Sequence, residues 1–188
     1  MPQTIAPPIT RYDYEQMPEG PPYYQVVEGE LVMSPSPGTP HQDIVLNLVL
    51  LIGHYLEEHP IGTLHVAPLD VFLSDINVYQ PDLVFVSRER RSLITDRGIE
   101  GAPDLVIEVL SPRTVRFDRG TKRKIYARTG VQELWLVDPD AKRIQIYRLT
   151  EDADAPVATH GADAVFESSL LPGLRVEAAG VFKPSHGG

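Results

Sequence analysis

Apolar side chains recur at positions 44, 45, 48, 49, 52 and 56 of "HQDIVLNLVLLIGHYLEEH" (41–59). That spacing lines one face of a helix and predicts the longest helix of the chain. Elsewhere the pattern shortens. "YYQVVEGELVMS" (23–34) reads as two strands around a Glu-Gly turn. "IGTLHVAPLDVFLS" (61–74) carries one or two strands, "DIN" turns the chain, and "YQPDLVFVS" (79–87) is the next strand. "RERRSLITDRGIEG" is a polar excursion, a loop with a helical turn, before the most apolar strand, "PDLVIEVLS". "RFDRGTKRKIYARTG" (116–130) predicts a second helix stopped by Gly130. "VQELWLVDPDAKRIQIYRL" (131–149) predicts a hairpin around "DPDA", with short edge strands after it. Ahead of all this, Thr10 is placed to cap a short helix over 10–17, and "PSPGTP" (35–40) is loop.

The order hairpin, helix, strands, helix, strands predicts an α+β or mixed α/β domain. Strands at 82–87 and 104–110 are apolar on both faces, as expected where helices cover a sheet. The chain divides into an N-terminal arm with a short helix (1–22), one domain (23–182) and a tail (183–188). Its 188 residues, 42% of them apolar, suffice for one core.

Composition narrows the chemistry. Without cysteine, thiolate catalysis, disulfides and Cys-based zinc sites are excluded. The start, "MPQTIAPPITRYDYEQ", has no basic patch leading into an apolar run. The run at 44–56 falls short of the roughly 20 residues that span a bilayer. A cytoplasmic protein with no membrane partner is the expectation. The net charge of −9 argues against a basic slab that grips nucleic acid, though "RERR" (88–91) and "RTVRFDRGTKRK" (113–124) concentrate basic charge locally. Solvated surface is the plainer reading of "RERR".

Three carboxylates stand out because apolar strands surround them: Asp70 in "PLDVFLS", Asp82 in "QPDLVFVS" and Glu108 in "LVIEVLS". An ionised carboxylate is costly to bury without a partner. Asp70 and Asp82 flank a short turn, so antiparallel pairing would bring them together; an arginine partner or a solvated edge is the alternative for Asp70. Asp104 and Glu108 share a face but lie ~13 Å apart along the strand, too far to bind one ion. The partner of Glu108 must therefore come from a neighbouring strand, and Asp82 is the natural one. Two or three carboxylates and a backbone carbonyl suit a hard cation such as Mg²⁺. Many metal-dependent nucleases add a lysine two residues after the second acid, where this chain has Leu110. Lys122 and Lys124 follow on the next helix, about 200° apart around its axis. Lys122 shares a stripe with Asp118, Ile125 and Tyr126, which points it toward the sheet; an exposed Asp118–Lys122 pair is the alternative.

"VYQPDLVFVS", "GAPDLVIEVLSPRT", "DRGTKRKIYARTGVQELWLVDP" and "VVEGELVMSPSPGTPHQ" together resemble the Uma-two-type family of restriction endonucleases, a branch of the PD-(D/E)XK nuclease superfamily. The resemblance runs from about residue 23 to 182. It implies a restriction-endonuclease-like αβββαβ core, with a mixed central sheet flanked by helices, an added N-terminal β-hairpin, and often a homodimer. It implies that Asp82 is the motif aspartate, Glu108 the second carboxylate, and Lys122 the lysine relocated from strand to helix. Asp70 matches an acidic position of the family and His41 a histidine at the start of its first helix.

The implied activity is Mg²⁺- or Mn²⁺-dependent hydrolysis of DNA phosphodiesters. Asp82, Glu108 and the Val109 carbonyl would hold the metal, with Asp70 available for a second ion. Lys122 would orient water or offset developing charge. His41 would contact substrate, carry a proton, or simply cap its helix. Ser111, Arg113, Arg116, Arg119, Arg123 and Lys124 are placed for phosphate contacts. Two other readings remain: a non-catalytic dimeric module that binds nucleic acid or protein on a nuclease-like scaffold, and a metal-dependent hydrolase of another substrate.

Overall fold

Two six-stranded sheets divide most of the chain between them. The structure is a computed structural model, and it describes residues 7–34, 36–111 and 118–184, with the side chain of Arg119 left out. Thr10 opens α1 (Arg11–Glu15) with a reciprocal box: its hydroxyl accepts from the Asp13 N–H, and the Asp13 carboxylate accepts from the Thr10 N–H. β1 (Tyr24–Val27) and β2 (Glu30–Met33) pair across a two-residue turn. Glu28 and Gly29 both take positive φ there, 50° and 81°, the twist that hairpins favour.

α2 (Thr39–Glu58) begins two residues before the apolar stripe predicts, because Pro40 fits a helix's first turn. It buries Ile44, Val45, Leu48, Ile52 and Tyr55. The chain continues through β3 (Gly62–Val66), β4 (Val71–Ser74), β5 (Asn77–Tyr79), β6 (Leu83–Ser87), a 3-10 turn (Arg88–Leu93), β7 (Ile94–Thr95), β8 (Gly98–Glu100) and β9 (Leu105–Val109). A wide π-type turn (Asp118–Lys122) leads into α3 (Arg123–Thr129), which ends on Gly130 at φ 99°. β10 (Glu133–Asp138), β11 (Arg143–Arg148), β12 (Ala158–His160), β13 (Val165–Glu167), β14 (Arg175–Glu177) and α4 (Ala178–Val181) complete it.

The central sheet runs β12-β11-β10-β9-β6-β3. β3, β6 and β9 are antiparallel, and α3 carries the chain from β9 to its parallel neighbour β10. From α2 to β10 this is the αβββαβ order, an α/β fold with a mixed sheet. One face packs on α2 through Leu83, Phe85, Leu105, Ile107, Val109 and Trp135. The other face, through Val84, Val86, Val106 and Leu136, meets Ile125 and Tyr126 of α3 together with Val71, Tyr79 and Ile99 of the second sheet.

That second sheet, β2-β1-β5-β4-β8-β7, is larger than the predicted hairpin. The predicted strand 79–87 is in fact two. β5 pairs with β1 and β4, whereas β6 belongs to the central sheet. Pro81 stands at the crossing, where it has no N–H to offer either ladder. The polar excursion 88–101 likewise holds the small β7–β8 hairpin, which joins β4.

Candidate active site

β9 is buried along its whole length, and Glu108 is only 4% exposed within it. The β6–β9 register pairs Leu83 with Ile107 and Val84 with Val106. One step further sets Asp82 opposite Glu108. By the period of two, Asp82 shares the face of Val84, and Glu108 that of Val106. A hydrogen bond ties the pair together: the Val109 N–H donates to Asp82 Oδ2 at 2.7 Å. The N–H and C=O of one residue in an extended strand point to the same side, so the Val109 carbonyl also faces Asp82. His41, in the first turn of α2, places Nε2 3.1 Å from Asp82 Oδ1. Its Nδ1 is buried with no hydrogen-bond partner among the described residues. His41 does not cap α2; Gly38 holds that position.

Lys122 comes to Glu108 from the turn before α3. Its Nζ lies 3.0 Å from Glu108 Oε1 and 3.2 Å from Asp118 Oδ1. The Asp118–Lys122 pair thus exists, but buried rather than exposed. Tyr126 donates its hydroxyl to the same Glu108 Oε1 at 2.6 Å. Its ring meets Tyr79 edge-on, and Lys122 Nζ stands 5.7 Å from the Tyr79 ring centre. Lys124 is exposed on the opposite side of the helix.

The charges are strongly coupled. Burial raises the Glu108 carboxyl to about 7, with the Lys122 ammonium working against the rise and the negative charges of Asp118 and Asp82 adding to it. Burial disfavours the Lys122 ammonium, but Glu108 and Asp118 more than compensate and hold it charged, above the ordinary lysine range. For His41, burial opposes the imidazolium; the hydrogen bond and charge of Asp82, backed by Glu108 and Asp118, outweigh that and lift it above its usual value.

Asp70 is not brought to this cluster. β4 and β5 pair Val71 with Tyr79, which sets Asp70 beside Gln80 rather than Asp82. Its Oδ1 accepts from the Tyr14 hydroxyl and from Gln80 Nε2, both at 2.9 Å. The switch of sheets at Pro81 is the reason. Asp104 serves the far end of β9, where its carboxylate accepts from the Ser87 N–H and Gln132 Nε2. Ser111 stands partly buried just past β9. Arg113 and Arg116 lie outside the described residues, as does the Arg119 side chain. Sequence reasoning gave Tyr126 and Asp118 no part in the site. Their spacing of four on either side of Lys122 was the available signal.

Among the described residues, no group of three or more His, Asp or Glu side chains is arranged to hold a metal ion, and no helix is long and apolar enough to cross a membrane. A family model described as "Uma2: Putative restriction endonuclease" matches residues 11–179. Among solved structures, the chain is similar to a crystal structure described as a putative nuclease belonging to DUF820 from Anabaena variabilis ATCC 29413. The TM-score is 0.77 at 24% identity, over 93% of this chain and 98% of that one. No curated protein matches.

Proposed function

The chain belongs to the Uma2 family, and from that premise we propose that it is a metal-dependent nuclease acting on DNA, with Asp82 and Glu108 as its metal-holding acids. The observation that carries this reading is the cross-strand placement of the two acids on one face, with the Lys122 ammonium 3.0 Å from Glu108. The donor set fits Mg²⁺ or Mn²⁺: two carboxylates and a strand carbonyl supply hard oxygens, and such an ion keeps several waters as its remaining ligands. When bound, the ion polarises a phosphoryl oxygen and acidifies a coordinated water.

The protein's own groups do the rest. The Val109 N–H and His41 fix the two oxygens of Asp82. Lys122, anchored by Asp118, keeps a positive charge beside Glu108 and would offset the charge that develops on phosphorus. Ser111, just past β9, would meet the DNA backbone.

Plasmid and oligonucleotide cleavage, assayed with Mg²⁺ and Mn²⁺, tests the reading. Wild type should cut, and Asp82→Asn and Glu108→Gln should each lose at least about 100-fold in rate. Cleavage that survives both substitutions, or requires no divalent ion, would overturn it. DNA binding without cleavage by wild type would favour the non-catalytic module.

A further inference from the structure

We propose that Tyr126 is a positioning residue of this site: its hydroxyl, acting with Lys122, claims one oxygen of Glu108 and leaves the other to the cation. The inference rests on the reading of Asp82 and Glu108 as metal-holding acids. It adds a residue that no motif assigned.

Three observations carry it. Both hydrogen bonds that Glu108 accepts among the described residues fall on Oε1, from Tyr126 at 2.6 Å and Lys122 at 3.0 Å. Oε2 accepts none from the described residues. Tyr126 is 0% exposed, so its hydroxyl cannot touch a substrate and acts only through Glu108. Its ring is held edge-on by Tyr79, 5.5 Å between centroids, and Tyr79 is itself fixed by a hydrogen bond to Asn77. The hydroxyl is thus aimed by a fully buried ring packed edge-on against Tyr79 rather than by an exposed side chain.

Asp118, Lys122 and Tyr126 follow one another at intervals of four. Asp118 holds the ammonium, and Tyr126 holds the carboxylate that the ammonium faces. A glutamate has three rotatable bonds, so a carboxylate held by one donor can swing; two donors on one oxygen fix its plane. Partners that orient a metal's ligands typically change metal affinity by about 10–100-fold when removed.

The test is Tyr126→Phe, which keeps the ring and its packing against Tyr79. Mn²⁺ affinity would be measured by calorimetry on the full chain, beside wild type and Glu108→Gln, with thermal unfolding as a check on the fold. Wild type should bind Mn²⁺, Glu108→Gln should not, and Tyr126→Phe should bind roughly 10-fold more weakly or worse while unfolding as one cooperative unit. In cleavage assays its loss should be recovered at least in part by raising Mn²⁺. If wild type binds and Glu108→Gln does not, but Tyr126→Phe binds as wild type does, the role of Tyr126 falls and the metal reading stands. If wild type binds no Mn²⁺, or Glu108→Gln still binds it, both fall together. Should Tyr126→Phe unfold, Tyr79→Phe, which releases the Tyr79 ring from Asn77 but keeps the Tyr126 hydroxyl, should weaken Mn²⁺ binding by a smaller factor; unchanged affinity there would also overturn the proposal.

Discussion

Glu108 sits where an ionised acid is costly to keep, and Lys122 and Tyr126 offset only part of that cost. Removing one member of a buried ion pair typically costs about 3–5 kcal/mol, because the other charge is left without compensation. Lys122, Asp118 and Tyr126 thus form one electrostatic unit with Glu108, and no member can be judged alone. The raised carboxyl has a consequence for stability. Folding favours the protonated form, so the contribution is full below the ordinary glutamate value of 4.5 and is lost as pH rises through about 7. Urea unfolding of wild type and Glu108→Gln at pH 5 to 8 reads this directly. Wild type should lose ground to the variant as pH rises across that window; a constant difference would show that Glu108 has the same proton affinity folded and unfolded.

At the scale of elements, the junction between the two sheets decides what the site contains. Gly98 lies at φ 143°, and a Cβ there would run into the Asp70 carbonyl oxygen, which accepts the Ile99 N–H. Gly98→Ala should therefore open the β4–β8 pairing and cost roughly 1–3 kcal/mol. Gly53, inside α2 with open space where its Cβ would be, is the contrast: Gly53→Ala should stabilise by about 0.5–1 kcal/mol. Calorimetric unfolding of both checks the pair.

Elements with strong local signals were legible in the sequence. The Thr10 cap, the Glu28–Gly29 turn, the stripe of α2 and the left-handed Gly130 each depend on a few neighbouring residues. Glu108 was legible for the opposite reason, as the one charge its strand could not absorb. The destination of Asp70 was hidden because it depends on β5 and β6 parting at Pro81, a choice between two sheets that alternation along the strand does not encode. Lys122 could be placed by its stripe. Tyr126 lies on the same stripe, but an aromatic residue there also satisfies a plain packing role, so its hydroxyl gave no separate signal.

For the whole molecule, a net charge of −9 makes the location of basic groups more telling than their number. "RERR" follows β6 directly, at the opposite end of that strand from Asp82. Arg88 donates to the Pro60 carbonyl and Arg90 pairs with Asp104, so this cluster braces the far end of the central sheet. Asp82, just before β6, Glu108 of β9, Lys122 of the turn before α3 and His41 of α2 meet only because the sheet is assembled. The account stands on one claim: Asp82 and Glu108 grip a single divalent cation between them. Crystals grown with Mn²⁺ and measured at its absorption edge test it most directly. The account predicts an anomalous peak within about 2.0–2.3 Å of a carboxylate oxygen of each residue. A well-ordered map with no peak between them, or with Mn²⁺ held elsewhere, would contradict it.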